Sequence, residues 1–167
     1  DGKVLVKLKT LEQVRELVCE PGKFIMIEGE EITGSHAHRP AHANAINITE
    51  CIMPAKAATL AEQLAAFAED VRRHAEAIDK PVFMHINHPN WRFSNTAEEV
   101  AFAKLADGVE IMNPNCGNVG DATHPNTDLL WDIANTLRLK RDHIAPLWGC
   151  GTDDTHNYHE FSGGRSN

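Results

Sequence analysis

The stretch Gly34-Ser35-His36-Ala37-His38-Arg39-Pro40-Ala41-His42, running into Ala43-Asn44-Ala45-Ile46-Asn47-Ile48, decides how this chain is read as a fold. Its first nine residues combine glycine, serine, proline and three imidazoles, the composition of a loop; residues 43–48 then read as a strand. Just upstream, Phe24-Ile25-Met26-Ile27 predicts a buried strand that delivers Glu28, Glu30 and Glu31. Earlier still, residues 3–8 alternate as a strand would. Thr10 is placed to cap a helix through about Val18, which Pro21-Gly22 closes.

Downstream the same order repeats. Thr59-Leu60-Ala61-Glu62 is a capping box that opens a helix to about Ile78, stopped by Lys80-Pro81. Val82 to Ile86 predicts a strand, followed by the loop Asn87-His88-Pro89-Asn90-Trp91. A second box, Thr96-Ala97-Glu98-Glu99, starts a helix ending near Asp107-Gly108, and Val109 to Met112 is again a strand. After a Gly-rich loop, His124-Pro125 enters a helix through Leu137, and Ala145 to Cys150 forms the last strand. Ser162-Gly163-Gly164-Arg165 reads as a loose end. Strands, loops and helices in this order predict one α/β domain with a largely parallel sheet. Polar residues recur at several strand ends, which favours a TIM-like barrel over an open sheet. No G-x-G-x-x-G follows a strand, so a dinucleotide fold is disfavoured.

A chain of 167 residues can bury a real core, and 42% apolar with 24% charged residues is ordinary for a globular domain. A net charge of −8 argues against a nucleic-acid backbone as partner. No apolar run approaches a membrane span and no signal peptide is visible, so a cytoplasmic setting is expected. The cysteines at 19, 51, 116 and 150 form no C-x-x-C pair, which excludes a zinc ribbon and suggests free thiols.

Ten histidines are the informative number. In Gly149-Cys150-Gly151-Thr152-Asp153-Asp154-Thr155-His156-Asn157, an extended backbone turns Asp154 and His156 to the same side, where they can grip one cation. A carboxylate and an imidazole together suit Zn²⁺, Mn²⁺ or Fe²⁺ better than Ca²⁺. Glu31, His42, His88, Asp154 and His156 are the candidate ligands: four fall just beyond predicted strands and His42 at the start of one. His88 and His156 are the candidates for moving protons, and Arg39 and Arg165 for holding a phosphate. His36 and His38 are read as facing substrate or solvent, His85 as packing inside the barrel, and His74 and His143 as surface positions. Trp91, Trp131 and Trp148 are read as core or pocket wall, Cys150 as a residue that could line the site, and Glu28, Glu30 and Glu110 equally as supports behind the ligands or as exposed carboxylates.

These motifs resemble the polymerase-and-histidinol-phosphatase (PHP) superfamily of metal-dependent phosphoesterases. The matching residues are Glu30-Glu31-Ile32-Thr33, His42 ahead of Ala43-Asn44-Ala45-Ile46, Asn87-His88-Pro89, Asp107 to Asn113, and Gly151 to His156. The resemblance implies a distorted (β/α)7 barrel with two or three divalent metal ions (Zn, Mn or Fe) and a small phosphorylated substrate. It makes Glu31 a bridging carboxylate, gives one cation to His42 and His88, and has Asp154 and His156 complete the cluster. The H-x-H strand with which such proteins open has no counterpart before Glu31, so residues 1–167 are expected to form part of such a barrel. Two other readings fit the residues: a metal-dependent amidohydrolase or lactonase, and a non-catalytic metal-binding domain.

Overall fold

The computed structural model describes residues 7–156. Its elements are α1 (Leu11–Val18), β1 (Gly29–His36), β2 (Arg39–Ile46), α2 (Leu60–Ile78), β3 (Phe83–Ile86), α3 (Ala97–Phe102), β4 (Gly108–Met112), α4 (Thr127–Leu137) and β5 (Trp148–Gly151). Helix starts follow local chemistry. Thr10, Thr59 and Thr96 each accept the N3 backbone N–H, while the N3 side chain (Gln13, Glu62 or Glu99) reaches back to the cap. Each such box contributes about 1 kcal/mol. Asp79, in the left-handed conformation, ends α2.

The sheet is open and mixed, with its five strands in sequence order. β1 pairs antiparallel with β2, and β2 with β3, whereas β3–β4 and β4–β5 are parallel. The (β/α)7 barrel expected from the sequence is therefore not formed. A barrel of that kind needs parallel neighbours throughout, and here residues 34–42 are not a loop. They belong to a hairpin whose two-residue turn, Ala37-His38, has positive φ at both positions. Such a turn matches the twist of paired strands and reverses the chain within two residues.

Helices pack on one face of this sheet. Ile32, Ala41, Ala43, Ala45, Met84, Ile86 and Val109 meet Leu64, Phe67, Ala68 and Val71 of α2, Val100 of α3 and Leu130 of α4 in a single core. Alanines on β2 let α2 approach closely. At Gly34 the approach is closer still, since a Cβ there would lie 2.9 Å from Phe67 Cζ. Strand alternation then fixes the other face: if Ile32, Ala41, Ala43 and Val109 point to the helices, Glu31, His42 and Glu110 point away from them.

Phe24-Ile25-Met26-Ile27 is not a buried strand. Beyond the bridge from Glu20 to Phe24 it carries no ladder, and Phe24, Ile25 and Ile27 are exposed. Trp148 is exposed too, rather than core or wall. His74, read as a surface position, is buried on α2 and accepts the Thr49 N–H at 3.2 Å. Residues 7–8 of the first predicted strand have no regular structure, and residues 3–6 lie outside the described residues.

Candidate metal centre

Hairpin register assembles the first half of the site. Glu31 pairs across the ladder with Asn44, and Thr33 with His42, so Glu31 and His42 are diagonal neighbours on the face away from the helices. Both sit within strands rather than at a strand end, a correction to the rim expected from the sequence. His88 arrives from the loop after β3, where Asn87 N–H donates to His42 O at 3.0 Å and holds the loop against β2.

Three ligand atoms then converge. His42 Nδ1 lies 3.2 Å from His88 Nε2. Glu31 Oε1 lies 3.4 Å from the first and 3.5 Å from the second. With metal–ligand bonds of about 2.0–2.1 Å, the edges of a tetrahedron are about 3.3–3.4 Å. The triad therefore has the spacing of three corners around one cation. Asn87, buried beneath it, donates one amide nitrogen to Glu31 Oε1 at 2.8 Å and to Asn44 Oδ1 at 3.0 Å, fixing the carboxylate.

Trp91 walls the site. Its ring meets His88 edge-on at 5.2 Å and His42 at 5.7 Å. Hydrogen bonding with His42, then with His88, holds the Glu31 carboxyl well below the ordinary carboxylate range, with Asn87 adding to the effect. Burial pulls the His88 imidazole down, but the Glu31 hydrogen bond and the charges of Glu110 and Glu31 outweigh it and raise its pKa.

Asp154 and His156 close the opposite side of the same cleft, about 250 Å³ in volume and also lined by Asn115 and Cys116. Asp154 Oδ2 receives the Asn113 amide at 3.3 Å and the Cys116 thiol at 3.2 Å. His156 Nδ1 lies 2.8 Å from Asp154 O, a geometry in which that nitrogen carries the proton. Thus all five candidate ligands line one cleft. Among the described residues, the group of three or more ligand atoms close enough to share an ion is Glu31, His42 and His88.

Other candidates lie elsewhere. Arg39 forks onto Glu99, at 2.8 Å and 2.5 Å, and also donates to Ser94 O. It lines a separate cavity of about 500 Å³ with Phe93 and His124, away from the triad. Arg165 lies outside the described residues. Exposed His38 forms the hairpin turn and His36 is half-buried beside it. His85 is buried, and burial lowers its pKa.

Cys116, rather than Cys150, faces the cleft. Burial, then hydrogen bonding to Asp154, pushes its thiol up to about 12. No periodicity or motif marks Cys116, because it stands in a loop placed by Asn113. Comparison with family models, curated proteins and solved structures returns no match.

Proposed function

We propose that this chain is a metal-dependent hydrolase of small phosphate esters, with Glu31, His42 and His88 holding a divalent cation. The observation that carries the reading is the triad itself: one carboxylate oxygen and two imidazole nitrogens spaced at 3.2–3.5 Å in an open cleft. Two histidines and a glutamate with an open position are a donor set that zinc uses for hydrolysis, and Mn²⁺ or Fe²⁺ also accept it. Such an ion, when bound, supplies a hydroxide near neutral pH and polarises a phosphoryl oxygen. The resemblance of Asn87-His88-Pro89 and Gly151 to His156 to PHP phosphoesterase motifs supports phosphate over amide substrates.

The chain's own groups do the rest. His88 directs Nε2 at Glu31 and His42, which suits a ligand better than a proton carrier. His156 stands exposed at the cleft mouth with Nδ1 turned to a carbonyl, so its Nε2 is left to accept or return a proton at the ester oxygen. Asp154 orients that ring and offers a second carboxylate to the cleft. Trp91 excludes water from one side of the triad.

Metal analysis of the purified chain, with turnover of p-nitrophenyl phosphate after removal and return of zinc or manganese, tests the proposal. About one tightly held ion per chain and metal-dependent turnover are expected. A chain that holds no ion, or is fully loaded and inert to every phosphoester, overturns it.

A further inference from the structure

Glu110 is almost wholly buried, at 3% exposure, on the sheet face that carries the cleft. Its carboxylate gathers three loops. Oε2 accepts the His88 backbone N–H at 2.6 Å, from the loop after β3, and the Asn113 amide at 3.0 Å, from the loop after β4. Oε1 accepts the Thr152 hydroxyl, from the segment after β5. The Asn113 amide reaches Asp154 Oδ2 as well, at 3.3 Å. Hence a single carboxylate is bonded directly to the backbone of one candidate ligand and, through one amide, to the side chain of another.

A buried carboxylate is costly unless every oxygen is matched by donors. Among the described residues no lysine or arginine forms an ion pair with Glu110; neutral donors match it instead. His88 itself has φ of 25°, a backbone conformation that a non-glycine residue holds only under constraint. The 2.6 Å bond to Glu110 holds the His88 N–H, while the His88 carbonyl accepts the Trp91 N–H at 2.8 Å.

We propose that Glu110 is the positioning residue of the cleft, holding the His88 and Asp154 sides in one frame through the His88 amide and the Asn113 side chain. The proposal rests on the metal reading above for its consequence, though not for its geometry. Glu110 touches no expected ligand atom, so its effect is exerted through the residues it holds.

The test uses the ¹⁵N-labelled metal-free protein and zinc titration. In the wild type, the His88 amide proton is expected far downfield, as a short bond to a carboxylate requires. Glu110→Gln keeps the shape and removes the charge; it is expected to move that amide upfield and to weaken zinc binding about 10- to 100-fold. Its unfolding is expected to stay cooperative. Thr152→Val and Asn113→Ala each delete one competing donor and are expected to push the His88 amide further downfield.

A His88 amide unmoved in Glu110→Gln, or moved with zinc affinity within twofold of the wild type, overturns the proposal. Should Glu110→Gln not fold, a His88 amide unmoved in both donor deletions does the same. A wild-type chain with no zinc affinity sinks the metal reading instead, and the amide shifts alone then decide the role of Glu110.

Discussion

His42 Nδ1 and His88 Nε2 face each other across 3.2 Å, with the same Glu31 oxygen 3.4 Å and 3.5 Å away. Two imidazole nitrogens this close need a proton between them or a cation in place of it. Either way, they form one unit rather than two independent histidines.

Removing either ring therefore dismantles the whole centre. His42→Ala and His88→Ala are each expected to lower zinc affinity by more than about a hundredfold, a larger loss than for residues beyond the ligand shell. Competition with a chelating dye measures this. Affinity unchanged in either variant would place the ion elsewhere.

Proton and metal compete for the triad, so pH acts oppositely on the empty and loaded chain. The Glu31 pKa is depressed, chiefly by hydrogen bonding with His42; the stability it contributes is complete above its unfolded value, about 4.3, and is lost in acid. The His88 pKa is raised, because Glu31 and Glu110 outweigh burial. Its contribution is complete below about 6.5 and is lost as pH climbs through the raised value. Metal-free protein is expected to melt higher at pH 5.5 than at pH 8, and His88→Gln to lose that difference. Zinc affinity runs the other way, weakening about tenfold per pH unit for each proton displaced below the His88 pKa. Melting curves with EDTA or zinc at both pH values check the two signs.

Gly34 marks where α2 lies directly on β1. A Cβ there would meet Gln63 Nε2 at 2.6 Å and Phe67 Cζ at 2.9 Å. The Gln63 amide is buried and donates to Ala55 O at 2.9 Å, and the fully buried Phe67 ring has no room. Gly34→Ala is expected to destabilise the fold by about 1–3 kcal/mol in urea unfolding. At Gly117 an added Cβ meets nothing within 4 Å, so Gly117→Ala should change stability by less than about 0.5 kcal/mol.

Thiol reactivity should divide the four cysteines into two pairs. Burial pushes Cys150 up to about 11, and burial with Asp154 pushes Cys116 up to about 12. Thiolate, not thiol, is the nucleophile, so neither should alkylate at pH 7.5 in the folded chain. Cys19 and Cys51 are exposed and should label. Mass spectrometry after brief iodoacetamide treatment gives the count; rapid labelling of Cys116 would contradict its place against Asp154.

Short-range features were legible in the sequence. Thr10, Thr59 and Thr96 cap helices because their partners stand three residues away, within reach of local chemistry alone. Strands Phe83–Ile86 and Gly108–Met112 followed from apolar runs that the core does bury. The same rule failed at Phe24-Ile25-Met26-Ile27, since an apolar run makes a core strand only if another element covers it. It failed in reverse at the hairpin. Residues 34–42, which supply the end of β1 and the start of β2, looked like a loop because glycine, serine, proline and three imidazoles fill them; only Ala43 to Ile46, the rest of β2, read as a strand.

By itself, then, the sequence determined which side chains have the donor chemistry a cation needs, carboxylate and imidazole, because that chemistry does not depend on the fold. Only the tertiary structure decided how they meet. Antiparallel pairing at Ala37-His38 set Glu31 diagonally beside His42, and an open sheet replaced the barrel. Glu99 claimed Arg39, Asn113 and Cys116 joined the site, and of the two readings open for Glu110, support behind the ligands or exposure, burial selected the first. Strand direction and register are choices between distant partners, and no window of neighbouring residues contains the energy that selects them.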